Sequence, residues 1–418
     1  MPRPVNLSFA MGLPPKDAVS YFESKGHKIT FDWKEMEQAA HAQAFTVAKC
    51  AQMDVLKDIR EACNTALKDG KTEAWFQKHL EPKLREKGWW GKKPMVDPRT
   101  GEVRKANLGS PDRLKLIYRQ NMQTAFMAGR YKQMLENADA RPWWQYVAVL
   151  DGKTRPSHKV LDGRTFRFDD PFWSTHSPPN GFNCRCRVRA LSDSRLKAEG
   201  ITPESGVGNM VTEDVVTMDR ATGQRTRHRA TGYKIPETGY TVFTDVGFSA
   251  NPGASWIGRQ LEDAVRKIEA ASPEIARQAL RDMTRGPVLP EWLARPVGCF
   301  PLVVIPEADA ALIGARCQVG RLSQQTAGKQ SKKHPELGPD DYRLAQEAVD
   351  NGERVQDGAR SLVYVLDASD GVVVVIKATR ERDELYVQSL RRLSRDEEKK
   401  DRTLRKLRKK SAPRGKGR

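Results

Sequence analysis

Residues 151–191 read DGKTRPSHKVLDGRTFRFDDPFWSTHSPPNGFNCRCRVRAL. Two histidines, a Cys-x-Cys pair and a dense set of turn residues share this one segment. His158, His176, Cys184 and Cys186 follow the spacing H-x17-H-x7-C-x-C. Zn²⁺ takes four such nitrogen and sulfur ligands in a closed structural site. Pro178, Pro179 and Gly181 impose a turn that folds His176 and the cysteines toward each other. The Cys-x-Cys pair is tighter than the two-residue gap of a zinc knuckle. The alternative reading is two small buried thiols and two histidines that satisfy loop backbone. A structural zinc ion is the one cofactor that the segment suggests. From Cys184 to Arg189 small apolar and basic residues alternate, and TFRFDD at 165–170 alternates likewise; a period of two reads as strand. Both stretches are expected to form a small sheet that caps a helical body. The arginine face fits a nucleic acid or an acidic partner, and equally a solvated surface.

N-terminal to this segment, residues 14–145 read mainly as helix. PPKDAVSYFESKG has a proline start, a helical run and a glycine stop. Between Trp33 and Leu67, apolar residues including Phe45, Val47, Val55, Leu56, Ile59 and Ala62 recur at three and four. A short amphipathic helix at Glu73–Leu84 ends in the GWWG turn at 88–91, and residues 92–109 read as a turn-rich loop. Ser110-Pro111-Asp112 is a helix start, with a capping serine followed by proline at the first helical position. On that helix Arg119, Asn121, Gln123 and Arg130 are polar among apolar neighbours, either a site or a solvent face. PWWQYVAVLD then forms a strand, with Trp143 and Trp144 as core.

C-terminal to it, residues 192–285 read as weakly organised, with one or two short hairpins and a helix broken at Ser272-Pro273. From about Pro290 the pattern becomes helix then sheet: a helix over DDYRLAQEAVDNG, then three strands in SLVYVLDASDGVVVVIKATRERDELYVQSLRRL. Asp370-Gly371 is a strong hairpin signal between two of them.

Composition narrows the function classes. The chain has 418 residues and a formal net charge of +19. No apolar run approaches the ~20 residues of a membrane span, and the proline-broken start is no secretory signal. Six cysteines in this length are not a disulfide framework. From Lys399 to Arg418 eleven Lys and Arg face the single acid Asp401, a net of +10. Lys399, Lys400, Arg405, Lys406, Arg408, Lys409 and Lys410 in this tail are candidate phosphate contacts, salt-sensitive and sequence-blind. A solubilising disordered end is the alternative. No P-loop, dinucleotide fingerprint or internal repeat is present.

Several ordered blocks in the first two hundred or so residues resemble the Mu-F-like head morphogenesis proteins of tailed phages. They are PPKDAVSYFESKG, AFTVAK as a helix at 44–49, GWWG, RLKLIYRQNMQTAFMAGRY, TRPSH and THSPPNGFNCRC. The resemblance implies a minor capsid component of the virion, associated with the portal vertex and made in the host cytoplasm. Its partners would be the portal protein and other head proteins, and its role head assembly and DNA packaging or delivery. VGRLSQQTAGKQSKKHPELGPDDYRLAQEAVDNG and the later strands are similar to phage nuclease-like domains of the barnase, EndoU, colicin and RelE group. That implies a small ribonuclease scaffold that meets DNA or RNA together with the basic tail. RNA cleavage needs an acid, a base and a cation for the phosphorane charge. His334, Lys332, Lys377, Ser389 and Arg391 are the candidates, expected to meet across the sheet.

The expected fold is therefore α+β and multidomain. A mostly helical head domain with a small strand-rich cap spans 1–195, and a connector spans 196–289. A nuclease-like helix-plus-antiparallel-sheet domain spans 290–398, and a disordered basic tail 399–418. The alternative function is a virion-delivered ribonuclease with the N-terminal half as packaging module; a third is a nucleic-acid-binding protein with a zinc-stabilised module.

Overall fold

A computed structural model describes residues 16–28, 44–50, 52–96, 101, 103–218, 225–367 and 371–393. The fold is mixed α and β, and it divides into two units, Met1–Trp256 and Ile257–Arg418.

In the first unit, α1 (Lys16–Glu23) buries Ala18, Tyr21 and Phe22. β1 (Gly26–His27) pairs in parallel with β2 (Ala44–Phe45). The expected AFTVAK helix is thus a short strand followed by a turn in which Lys49 takes a φ of 61°. Thr46 and Val47 are β-branched, and left-handed backbone at Lys49 stops any helix there. α2 (Met53–Asp69) lines up Val55, Leu56, Ile59, Ala62, Cys63, Ala66 and Leu67 on one buried face. It ends at Gly70, whose φ of 63° lets its N–H reach the Ala66 carbonyl. α3 (Glu73–Glu86) starts on Thr72, whose hydroxyl accepts the Trp75 N–H at 3.3 Å. Residues 92–109, expected as a loop, carry a hairpin of β3 (Lys92–Val96) and β4 (Val103–Asn107). Its strands are lysine- and arginine-rich, so they lack the apolar alternation that marks a strand.

Ser110 caps α4 (Pro111–Glu136), its hydroxyl accepting the Arg113 N–H at 3.2 Å, with proline at the first position. This long helix crosses α1 at Gly129. A Cβ there would lie 2.9 Å from the Ala18 nitrogen and 3.1 Å from the Asp17 Cβ. Lys132 and Gln133 then hold the Asp17 carboxylate at 2.8 and 3.1 Å. Gly129→Leu is expected to cost about 1–3 kcal/mol through forced separation of the helices, despite the ~1 kcal/mol it gains in helix propensity. Urea unfolding checks this; a neutral or stabilising result would mean that the crossing is not close.

The cap is built on β5 (Trp143–Val147). After α5 (Pro156–Lys159), β6 (Thr165–Arg167) lies on one side of it. After α6 (Phe172–His176), β7 (Arg187–Leu191) lies on the other, both antiparallel. The strand expected from Cys184 begins only at Arg187. The ladder ends at the Val147–Arg187 pair because the next amide, Ala148, donates instead to the Asp162 carboxylate at 2.7 Å. Trp144, Tyr146, Phe166, Phe172, Trp173 and Tyr233 fill the cap's core. Phe166 stacks on Phe172 at 4.1 Å between centroids, with Trp173 and Tyr233 edge-on. Trp143 is half-buried and donates its indole N–H to Asp193 at 2.7 Å. Beyond α7 (Asp193–Ala198), the weakly organised stretch holds a long hairpin, β8 (Met210–Met218) with β9 (Arg225–Lys234), extended by β10 (Thr241–Val242).

α8 (Pro252–Glu269) and α9 (Pro273–Arg285) flank the Ser272-Pro273 break as expected. In the second unit α10 (Val288–Ala294), β11 (Cys299–Val304), α11 (Glu307–Leu312), β12 (Val319–Ser323), α12 (Gln324–Lys333) and α13 (Pro339–Asn351) precede four further strands. These are β13 (Glu353–Gln356), β14 (Ser361–Val365), β15 (Val372–Ala378) and β16 (Leu385–Arg392). The three expected strands are β14, β15 and β16, and β11, β12 and β13 join them in one sheet of order β11-β12-β16-β15-β14-β13. The β12–β16 pair is parallel and the others antiparallel. Val372, Val374, Ile376, Leu385, Val387 and Leu390 bury one face against Ala327 of α12 and Tyr342 and Ala345 of α13. Val355, Val363, Val365 and Val373 form a second cluster on the opposite face. Tail residues 399–418, with all seven candidate phosphate contacts, lie outside the described residues.

Candidate metal centre

Three of the four candidate ligands converge. The ligand atoms of His158, Cys184 and Cys186 all lie within 4.8 Å of one another. Cys186 Sγ is 3.6 Å from His158 Nδ1. All three residues are buried, at 5%, 6% and 2% exposure. The local backbone explains the convergence. Pro156 starts the one-turn α5 and brings His158 inward, while Asn183, at a φ of 57°, turns the chain into the extended Cys184–Cys186 stretch. His176 stands elsewhere. Its Nε2 meets the Val242 carbonyl at 3.0 Å, its Nδ1 the Thr175 hydroxyl at 2.8 Å, and its ring stacks on Phe172. Burial pushes its pKa down to about 4, so it is a neutral core residue tied to β10.

The two thiols are unlike. A bond from the Cys186 thiol, helped by the backbone amides of Asn180 and Cys186 and by the Arg155 charge, outweighs burial and holds the Cys184 pKa down to about 7. The same bond, together with burial, pushes the Cys186 thiol up. Asn180 donates through Nδ2 to the Tyr146 hydroxyl at 3.2 Å.

Salt links fix the surrounding turns. Arg155 reaches Asp245 at 2.5 Å and the Phe182 carbonyl at 3.0 Å. Arg185 reaches Asp151 at 2.6 Å, and that bond holds the Asp151 carboxyl well below the usual carboxylate range. Arg189 bonds Glu199 and Gln145, so two of the three arginines around Cys186 carry ion pairs. Among the polar residues of α4, Gln123 donates to the Cys186 carbonyl at 2.8 Å and Arg130 to the Val188 carbonyl at 2.7 Å. Arg119 pairs with Glu73, and Asn121 bonds the Ile117 carbonyl within its own helix. The helix therefore grips both the Cys184–Cys186 stretch and the strand that follows it. Sequence spacing gave no signal for Tyr146, Asn180 or Asp245; Gln123 and Arg130 stood out as polar interruptions, without a target.

The five residues weighed for RNA cleavage do not converge. His334 ends α12 and bonds Glu336 at 3.1 Å, with Lys332 exposed on the same helix, which packs on the helix-covered face of the sheet. Ser389 pairs with Val375 and Arg391 with Val373, and Lys377 follows the same alternation. Those three belong to the opposite face. Arg392, not Arg391, is directed to the helix side, where it grips Asp341.

The family described as Phage Mu protein F like protein matches residues 57–189, which run from within α2 to within β7 and include the whole His-Cys-Cys triad. The "Putative capsid assembly protein F" of Escherichia phage Mu is 43% identical over 300 residues, 70% of this chain and 67% of its own length. The Mu-like prophage FluMu F protein of Haemophilus influenzae is 41% identical over 251 residues, 60% of this chain and 59% of its own length. No solved structure matches. On the extent of the first of these matches, the chain belongs to the family of phage Mu F-like proteins.

Proposed function

We propose that this chain is a minor component of a tailed-phage head, acting in head assembly and in DNA packaging or delivery at the portal vertex. The observation that carries the reading is the 43% identity, over 70% of the chain, to a relative named for capsid assembly. Its partners would be the portal protein and other head proteins. The net charge of +19, half of it in the basic tail, suits a contact with packaged nucleic acid. The second unit, an α+β module, would enter the particle with the first. Separation of Lys377, Ser389 and Arg391 from His334 and Lys332 by the thickness of a sheet favours a binding or structural role for it over turnover.

Quantitative mass spectrometry of purified particles tests the proposal, with peptides from both units counted against the portal subunit. A low, fixed ratio for both units is expected. Absence from particles would sink the head-protein reading, and loss of C-terminal peptides alone would remove the second unit from it.

A further inference from the structure

We propose that His158, Cys184 and Cys186 bind one Zn²⁺ ion through three protein ligands, with the fourth coordination position open to the small cavity beside them. Bonds of about 2.0–2.3 Å in a tetrahedral site set ligand atoms roughly 3.5 Å apart. The Cys186–His158 separation of 3.6 Å already meets that spacing, and the whole triad lies within 4.8 Å. Two thiols and an imidazole are the ligand set that selects zinc over magnesium or calcium.

The surroundings are organised to hold these ligands in place. Gln123 fixes the Cys186 carbonyl, Arg155 holds the Phe182 carbonyl just ahead of the cysteines, and Arg185 between them is tied to Asp151. Such outer contacts fix the orientation of metal ligands before an ion arrives. The fourth position follows from what is near. Both ring nitrogens of His176 are engaged elsewhere. The triad instead lines a cavity of about 210 Å³, together with Thr154, Arg155 and Asn183. It has room for a water or a small anion. No carboxylate lines it to act as a base for hydrolysis. The ion is therefore a staple between the 151–158 turn and the Cys-Arg-Cys stretch, closed by an exchangeable ligand.

The test uses the reduced full-length chain, loaded with Zn²⁺ and desalted. Metal is measured by elemental mass spectrometry, and each cysteine is followed by alkylation. One equivalent per chain is expected, with Cys184 and Cys186 protected by zinc while Cys299 and Cys317 react as they do in metal-free protein. Cys186→Ser should lose the equivalent and His176→Asn keep it. In the Co²⁺ form, added imidazole should shift the visible spectrum as it enters the open position. Substoichiometric zinc, or alkylation of Cys184 and Cys186 that zinc does not slow, would overturn the site; neither readout depends on a variant that folds. A Co²⁺ spectrum indifferent to imidazole would overturn the open position. None of these outcomes depends on whether the chain enters particles.

Discussion

Phe166→Ala is expected to destabilise the first unit by about 3–5 kcal/mol, the usual cost of truncating a fully buried aromatic residue. Phe166 has no exposed surface and touches three aromatic neighbours at once. It is stacked on Phe172 and meets Trp173 and Tyr233 edge-on. Alanine would leave a cavity between β6, α6 and β9 that these large rings cannot collapse into without losing their mutual packing. Phe166→Leu should cost less, roughly 1–2 kcal/mol, because it keeps much of the volume. Tryptophan fluorescence in guanidinium reads the effect, since Trp292 is the one tryptophan beyond residue 256. A loss below ~1 kcal/mol for alanine would mean that the cap is not held by this core.

In the second unit the largest polar effect is expected from Asp341→Ala, about 2–3 kcal/mol. The carboxylate is 3% exposed and does two things. It accepts the Gly338 N–H at 2.7 Å, which closes the start of α13, and it takes a two-pronged grip from Arg392 at 2.5 and 2.9 Å, which anchors the end of β16. Arg392 is half-exposed, so the figure stays below that for a wholly buried pair. Burial opposes the charge on Asp341, but the Arg392 bonds and the Gly338 amide outweigh it and hold the pKa below its ordinary value. A depressed folded pKa adds stability above the unfolded value, about 4, and that stability is lost as the pH falls through the folded one. The gap between the wild type and Asp341→Asn should therefore be full at neutral pH and shrink in acid. Hydrogen exchange over α13 and β16 at two pH values measures it; a gap that widens in acid would refute the assignment.

Much of this was legible in the sequence where a local rule decides. Ser110-Pro111 marked the start of α4, Gly352 the end of α13, and the apolar rhythm from Val55 to Leu67 the buried face of α2. What escaped depends on tertiary context. The β3–β4 hairpin is too basic to show alternation, and β11 to β13 gain their identity only from neighbours in the sheet. At the candidate site the residue types were legible, and the partition among them was not. His158 and His176 look alike in the chain; what separates them is that Val242, sixty-six residues away, claims one of the two rings. Sequence placed Lys377, Ser389 and Arg391 on strands or at their ends, but a parity of one residue decides the face, and that parity passes through an irregularity between Val375 and Ile376.

The parallel pairing of β12 with β16 has a kinetic consequence. β13 to β16 form a run of neighbouring antiparallel strands, each next to its successor in the chain, and β11 with β12 form another. Joining the two runs requires Gly320 to meet Leu385 across sixty-five residues of chain. Closure of a loop that long is entropically costly before any contact compensates for it. The second unit is thus expected to assemble its C-terminal meander early and to complete its sheet late. Until that last seam closes, the edges of β12 and β16 are unpaired templates, and this is the interval in which a growing chain is most open to mispairing with its neighbours.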